Sequence, residues 1–131
     1  MGTPVNDAAL DTLFRTARTY NGYLPGEVTP TDIEAIYDLL KMGPTSAYQQ
    51  PARFVWCLSQ DAKDKRADCA TGTNPDKIRK APAAVVIGMD LNFHEELPWL
   101  FQHTDAKSWF EGDQEKRRDH AFRNSSLQGA Y

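Results

Sequence analysis

Apolar side chains at Leu10, Leu13, Phe14 and Ala17 recur at three- and four-residue intervals, which predicts an amphipathic helix over about Asp7–Ala17. Asn21-Gly22 and Pro25-Gly26 then break the pattern. It resumes at Ile33, Ile36, Tyr37 and Leu40, with Thr29 placed to cap that second helix, Pro30 at its first position and Asp32 at its third. Gly43-Pro44 ends it. The period then changes. Phe54–Leu58 is a continuous apolar run and predicts a buried strand, followed by a charged surface helix over Asp61–Ala70. Asn74-Pro75 interrupts before a short helix at about Asp76–Lys80. Ala84–Met89 is apolar on both faces and predicts a central strand. Phe93–Phe101 is amphipathic but divided by Pro98, and a last helix runs from about Gln114 to the end. Ala121, Phe122, Ser125 and Ala130 form its predicted close-packing face.

Helices alternating with apolar strands imply an α+β chain with a sheet between helical layers. Its 131 residues suit one domain with a single core. Only two convincing strands are visible, and a two-stranded sheet is marginal on its own. The chain also stops at Tyr131 within a helical pattern, so it reads as the first part of something longer, truncated at the C-terminus.

Composition removes several function classes. A net charge of −3 argues against general affinity for nucleic acid or an anionic membrane, and Lys116-Arg117-Arg118 is flanked by Glu115 and Asp119 as on a solvated helix face. No apolar run is long enough to span a bilayer, and the N-terminus lacks the basic flank and apolar region of a signal peptide. Cys57 and Cys69 have no CxxC spacing, which points to free thiols and the cytoplasm. The P-loop, GxGxxG and GxSxG patterns are missing. His94-Glu95-Glu96-Leu97 opens like a zinc-protease helix, but Pro98 stands where the second histidine belongs. His103 and His120 are assigned surface or capping roles, and no metal site is expected.

Five polar segments remain, in order. They are Ala17–Tyr23 (ARTYNGY), Gly43–Pro51 (GPTSAYQQP), Asn74–Lys77 (NPDK), Asp105–Phe110 (DAKSWF) and Phe122–Gln128 (FRNSSLQ). The set resembles the FMN-dependent nitroreductase family over residues 1–131, most closely its malonic semialdehyde reductase branch. The resemblance implies a nitroreductase-like fold, a mixed sheet flanked by helices in three αβα layers, with FMN held in a homodimer. It maps the flavin phosphate to Arg18 with Thr19 and Tyr20 beside it, since a guanidinium offers a fixed fork of donors to a phosphate. It maps the ring and ribityl chain to Pro44, Thr45, Ser46 and Gln50, and the flavin's polar edge to Asn74 and Lys77. Tyr48 stands where family members commonly carry asparagine.

Read without the resemblance, Arg18 is a solvated helix-end arginine and Pro44–Gln50 a capped connection; Asn124, Ser125 and Ser126 are packing and hydrogen-bonding residues first and site residues second. The activity implied is NADH- or NADPH-dependent hydride transfer through FMN, with no catalytic side chain of the protein itself. The substrate implied is malonic semialdehyde, reduced to 3-hydroxypropanoate. A nitroaromatic or quinone reductase, or a non-catalytic fragment keeping only the dimer surface, are the alternatives.

Overall fold

The Asn6 side chain accepts the Ala9 N–H at 2.9 Å and starts α1 (Asp7–Leu10), in a computed structural model that describes residues 2–131. This first helix is shorter than predicted. After Leu10 the backbone widens into a π-helical turn over Asp11–Arg15, closed by Thr16, whose N–H and Oγ1 both donate to the Asp11 carbonyl at 2.9 and 2.8 Å. A hydroxyl competing for a backbone acceptor ends the helix there, before Ala17. The Leu13 and Phe14 side chains stay 62% and 72% exposed and Leu10 is half-buried, so most of the amphipathic face is uncovered among the described residues.

α2 (Pro30–Leu40) carries the full capping box: Asp32 N–H donates to Thr29 Oγ1 at 3.2 Å, while Thr29 N–H donates to the Asp32 carboxylate at 2.8 Å. Thr29→Ala is expected to cost about 1 kcal/mol, read as a lower unfolding midpoint; an unchanged midpoint would show the box is redundant. The helix stops where Gly43 comes against Tyr131. A Cβ at Gly43 would lie 3.0 Å from the Tyr131 ring and 3.1 Å from the Leu40 carbonyl, so glycine serves close approach here. No residue of α2 is fully buried, and Tyr37 meets Phe54 edge-on at 6.4 Å.

β1 (Ala52–Cys57) and β2 (Ala84–Met89) pair antiparallel, with Ala52 opposite Met89 and Cys57 opposite Ala84. Between them α3 (Gln60–Asp68) packs on α4 (Asn74–Lys80). The charged helix expected at Asp61–Ala70 is therefore not wholly on the surface. Ala67 is buried, and so is Lys63, whose Nζ donates to the Ala81 carbonyl at 2.9 Å. Pro75 sits in the first turn of α4 rather than interrupting it, which its missing N–H permits. β2 was expected to be central. Among the described residues it has one strand neighbour, and Val86, Ile87 and Met89 are about 40% exposed, so the sheet is present as an antiparallel pair.

After β2 come a 3₁₀ turn (Phe93–Glu96), α5 (Leu97–Leu100), a second 3₁₀ turn (Lys107–Trp109) and α6 (Gln114–Ala130). The two pieces expected on either side of Pro98 are present, the break falling at Leu97. Phe93, Leu97, Ala106, Phe110 and Ala121 form the core, with Phe93 and Phe110 edge-to-face at 5.1 Å. α6 lies against both strands. Its buried face is Ala121, Asn124, Ser125 and Gln128; Phe122 and Ala130, assigned inward from sequence, are exposed. Spacing alone cannot choose between a stripe of small polar residues and one holding Phe122. The sheet decides, because Gly129 lies so near Ile87 that a Cβ there would come within 2.6 Å of its δ-methyl.

Candidate functional site

Between α2 and β1 the chain runs through Gly43–Pro51 with an unusual backbone. Ala47, Tyr48 and Gln50 have φ of 49°, 55° and 45°, three non-glycine residues in the left-handed region within four positions. Each costs on the order of 1–2 kcal/mol relative to ordinary backbone. The loop's own bonds are few, chiefly Tyr48 N–H to Thr45 O (3.2 Å) and Gln49 N–H to Ser46 O (3.1 Å). Strain of this size persists only where surrounding structure overrides local preference, and such places are enriched at functional sites.

The override comes from α6. Ser46 N–H donates to Asn124 Oδ1 at 2.8 Å, and Asn124 Nδ2 donates to Gln49 Oε1 at 3.1 Å and to the His120 carbonyl at 2.9 Å. Gln49, only 1% exposed, presents its Nε2 to His120 Nδ1 at 3.2 Å. One turn further along, Gln128 Oε1 accepts the Ala52 N–H at 2.9 Å, and its Nε2 donates to Gln50 Oε1. Neutral bonds of roughly 0.5–1.5 kcal/mol each, four joining loop to helix and a fifth anchoring Ala52 at the start of β1, match the strain in size. These two side-chain amides on one helix therefore hold the loop in shape.

Beside the loop opens a cleft of 390 Å³ that falls within the range of small-molecule sites. Tyr37, Tyr48, Phe54 and Trp99 give it aromatic walls, and Lys41 and Arg53 bring cations to it. Both cations are paired, Lys41 with Asp38 and Arg53 with Asp90, and the Asp38 contact raises the Lys41 pKa above its ordinary value. The cleft thus offers flat apolar surface edged by two ion-paired cations and the Glu96 carboxylate, a surface suited to a planar group with a polar rim.

The residues expected to bind cofactor fall in three places. Arg18, Thr19 and Tyr20 lie in the irregular segment before α2, all exposed, and Arg18 sits three residues beyond the π turn rather than on a helix end. Pro44, Thr45, Ser46 and Gln50 belong to the strained loop; Gln50 N–H approaches Thr45 Oγ1 at 3.4 Å, and Gln50 Nε2 donates to the Lys41 carbonyl at 3.2 Å. Of the nine residues only Gln50 lines the cleft, together with Tyr48. Asn74 and Lys77 are on the first turn of α4, Asn74 exposed and Lys77 half-buried.

The sequence leaves Gln49, Gln128 and His120 out of the expected site and places Asn124 there only second to packing and hydrogen bonding. His120 is half-buried, not a surface or capping residue, with its ring edge-on to Phe110 at 5.0 Å. A signal for the three α6 residues existed: His120, Asn124 and Gln128 recur every four residues, a polar stripe beside the small residues Ala121 and Ser125. Ser125 is buried as expected of a packing residue, while Ser126 is exposed and bonds back to the Phe122 carbonyl. Among the described residues no group of three or more His, Cys, Asp or Glu is placed to hold a metal, and no helix is long and apolar enough to cross a membrane.

No family model matches the chain. Curated relatives do. A protein of Stenotrophomonas maltophilia (strain R551-3) with the provisional name NADH dehydrogenase/NAD(P)H nitroreductase is 54% identical over 131 residues, covering 100% of this chain and 67% of that protein. A like-named protein of Xanthomonas oryzae pv. oryzae is 48% identical over the same coverage. The chain therefore spans about two thirds of the length of the relatives it matches. Among solved structures, a protein of Exiguobacterium sibiricum, provisionally described as a nitroreductase and solved in complex with FMN, superposes with a TM-score of 0.78 at 14% identity, covering 99% of this chain and 69% of that one. A nitroreductase family protein of Streptococcus pneumoniae gives 0.71 at 17% identity, covering 86% and 64%. At such identities the superpositions speak for the fold, and it is the nitroreductase-like α+β fold implied by the sequence resemblance.

Proposed function

Because the chain belongs to the NADH dehydrogenase/NAD(P)H nitroreductase family, we propose that it is an FMN-dependent NAD(P)H oxidoreductase. The observation that carries the proposal is the Gly43–Pro51 loop, held in a left-handed conformation by α6 at the edge of an aromatic cleft.

FMN presents a phosphate dianion, a polyhydroxyl chain and a flat ring with a polar edge. The side chains on offer match that chemistry. Arg18 is exposed, forms no ion pair among the described residues, and would fork onto the phosphate with Thr19 and Tyr20 beside it. Pro44, Thr45, Ser46 and Gln50 would line the ring and ribityl chain. Asn74 and Lys77 would meet the pyrimidine edge, where an ammonium favours negative charge. When bound, FMN supplies hydride chemistry between a nicotinamide and the substrate. The chain's own share is to bind, orient and keep water out.

Malonic semialdehyde is the proposed substrate, reduced to 3-hydroxypropanoate. The family resemblance supports this small anionic carbonyl compound, which Lys41 and Arg53 would meet if it displaced their partners Asp38 and Asp90; the four aromatic side chains and the Glu96 carboxylate keep a nitroaromatic or quinone as the rival. A homodimer is proposed as well, on the exposed apolar side chains Leu13, Phe14, Phe122 and Leu127. Both cysteines are free, Cys57 buried and Cys69 exposed, which supports a reducing compartment such as the cytoplasm.

Purified protein is expected to take up FMN and to turn over malonic semialdehyde faster than a nitroaromatic with NADH or NADPH. The reverse ranking would replace the substrate. Protein that stays colourless and apo in excess FMN would overturn the enzyme reading in favour of a non-catalytic fragment.

A further inference from the structure

The hydrogen bonds joining α6 to the loop have a direction that the backbone dictates. Ser46 N–H can only donate, so the Asn124 atom it meets at 2.8 Å is the carbonyl oxygen. Asn124 Nδ2 must then donate, and the Gln49 atom 3.1 Å away is Oε1. That leaves Gln49 Nε2, again a donor only, facing His120 Nδ1 at 3.2 Å. The chain closes only if Nδ1 carries a lone pair, which makes His120 the neutral tautomer with its proton on Nε2.

We infer that Asn124 and His120 are positioning residues for the Gly43–Pro51 loop, and that the loop keeps its left-handed form only while the His120 imidazole is neutral. Protonating Nδ1 sets two donors face to face and releases Gln49, which is too buried to find water in exchange. Gln49 precedes Gln50 and follows Tyr48, so its release frees two of the three strained residues. This goes beyond the flavin reading in assigning the loop a gatekeeper and rests on that reading only where it concerns FMN.

The surroundings of His120 favour the neutral ring. Burial lowers its pKa below the ordinary value, Lys116 and Arg123 act in the same direction, and Asp119 opposes them. All three charges lie on α6 itself; from the loop and from the turn before α6 the ring meets the Gln49 amide and the Phe110 ring, neither of which titrates. The sign follows. With the folded pKa depressed, the unfolded chain binds the proton first, so the contribution is fully present above about pH 6.5, the unfolded value, and is lost as pH falls through the folded pKa.

Ring nitrogen shifts of His120 and amide exchange of Ser46, both read by NMR on the 131-residue chain without FMN, test the relay directly. The Nε2–H tautomer is expected, with Ser46 protection about tenfold or more lower at a pH below the His120 titration, located by those same ring shifts, than at pH 7.5, as loss of its bond implies. His120→Asn places an amide oxygen where Nδ1 stood and cannot titrate, so protection should then hold at both pH values. Asn124→Ala should remove it at both. An Nδ1–H tautomer, or Ser46 protection indifferent to pH in the unsubstituted chain, would overturn the relay. FMN titrations at the two pH values separate the other failure. Affinity should fall more on acidification in the unsubstituted chain than in His120→Asn, the comparison cancelling the ligand's own phosphate titration. If FMN binds neither protein while the NMR results hold, the flavin reading fails and the relay stands.

Discussion

Replacing Phe93 with alanine is expected to destabilise the fold by about 3–5 kcal/mol, the range for emptying a buried aromatic site. Phe93 is 0% exposed, and the core offers little else of its size: Leu97 and Phe110 are its large neighbours, while Ala106 and Ala121 are small. A domain usually has 5–15 kcal/mol in total, so this single change removes a large part of it. The loss should also spread. Phe93 packs on Phe110, and Phe110 packs on His120, so the cavity loosens one wall of the amide relay. Urea unfolding of Phe93→Ala beside Phe93→Leu measures the effect; a loss below about 1 kcal/mol for the alanine variant, well under the usual cavity cost, would mean that the core resides elsewhere.

Arg18→Ala is expected to weaken FMN binding by about 1.5–3 kcal/mol, roughly 10- to 150-fold, as a charge-assisted contact to a phosphate disappears. Stability should not change, because the Arg18 side chain is exposed and bonded to nothing among the described residues. That separation makes the variant informative. Flavin fluorescence titration reads affinity, and thermal unfolding without FMN reads the fold. Equal affinity in the two proteins would put the phosphate elsewhere, and a lowered midpoint would show that Arg18 serves the fold instead.

Local chemistry was legible where one or two residues act alone. Thr29, Pro30 and Asp32 announced the start of α2, Gly43-Pro44 its end, and Pro98 the split before α5. Failures came where a competing hydrogen bond or a distant partner intervened. Thr16 closes the π turn and shortens the first helix. Lys63 is drawn inward by the Ala81 carbonyl eighteen residues away. β2 has the composition of a central strand and, among the described residues, a single neighbour.

The site divides in the same way. The sequence by itself determined that Gly43–Pro51 is a polar connection between a helix and a strand, that small residues mark one face of the last helix, and that the chain follows the pattern of a known family. Those statements rest on neighbours within a turn or two, where steric and hydrogen-bonding preferences are intrinsic to the residue. Only the tertiary structure decided that Ala47, Tyr48 and Gln50 turn left-handed and that Gln49 is buried. It also made His120, Asn124 and Gln128 the groups that hold them there. The partners lie more than seventy residues apart, and no local preference favours that conformation. It exists because the bonds from α6 offset its cost.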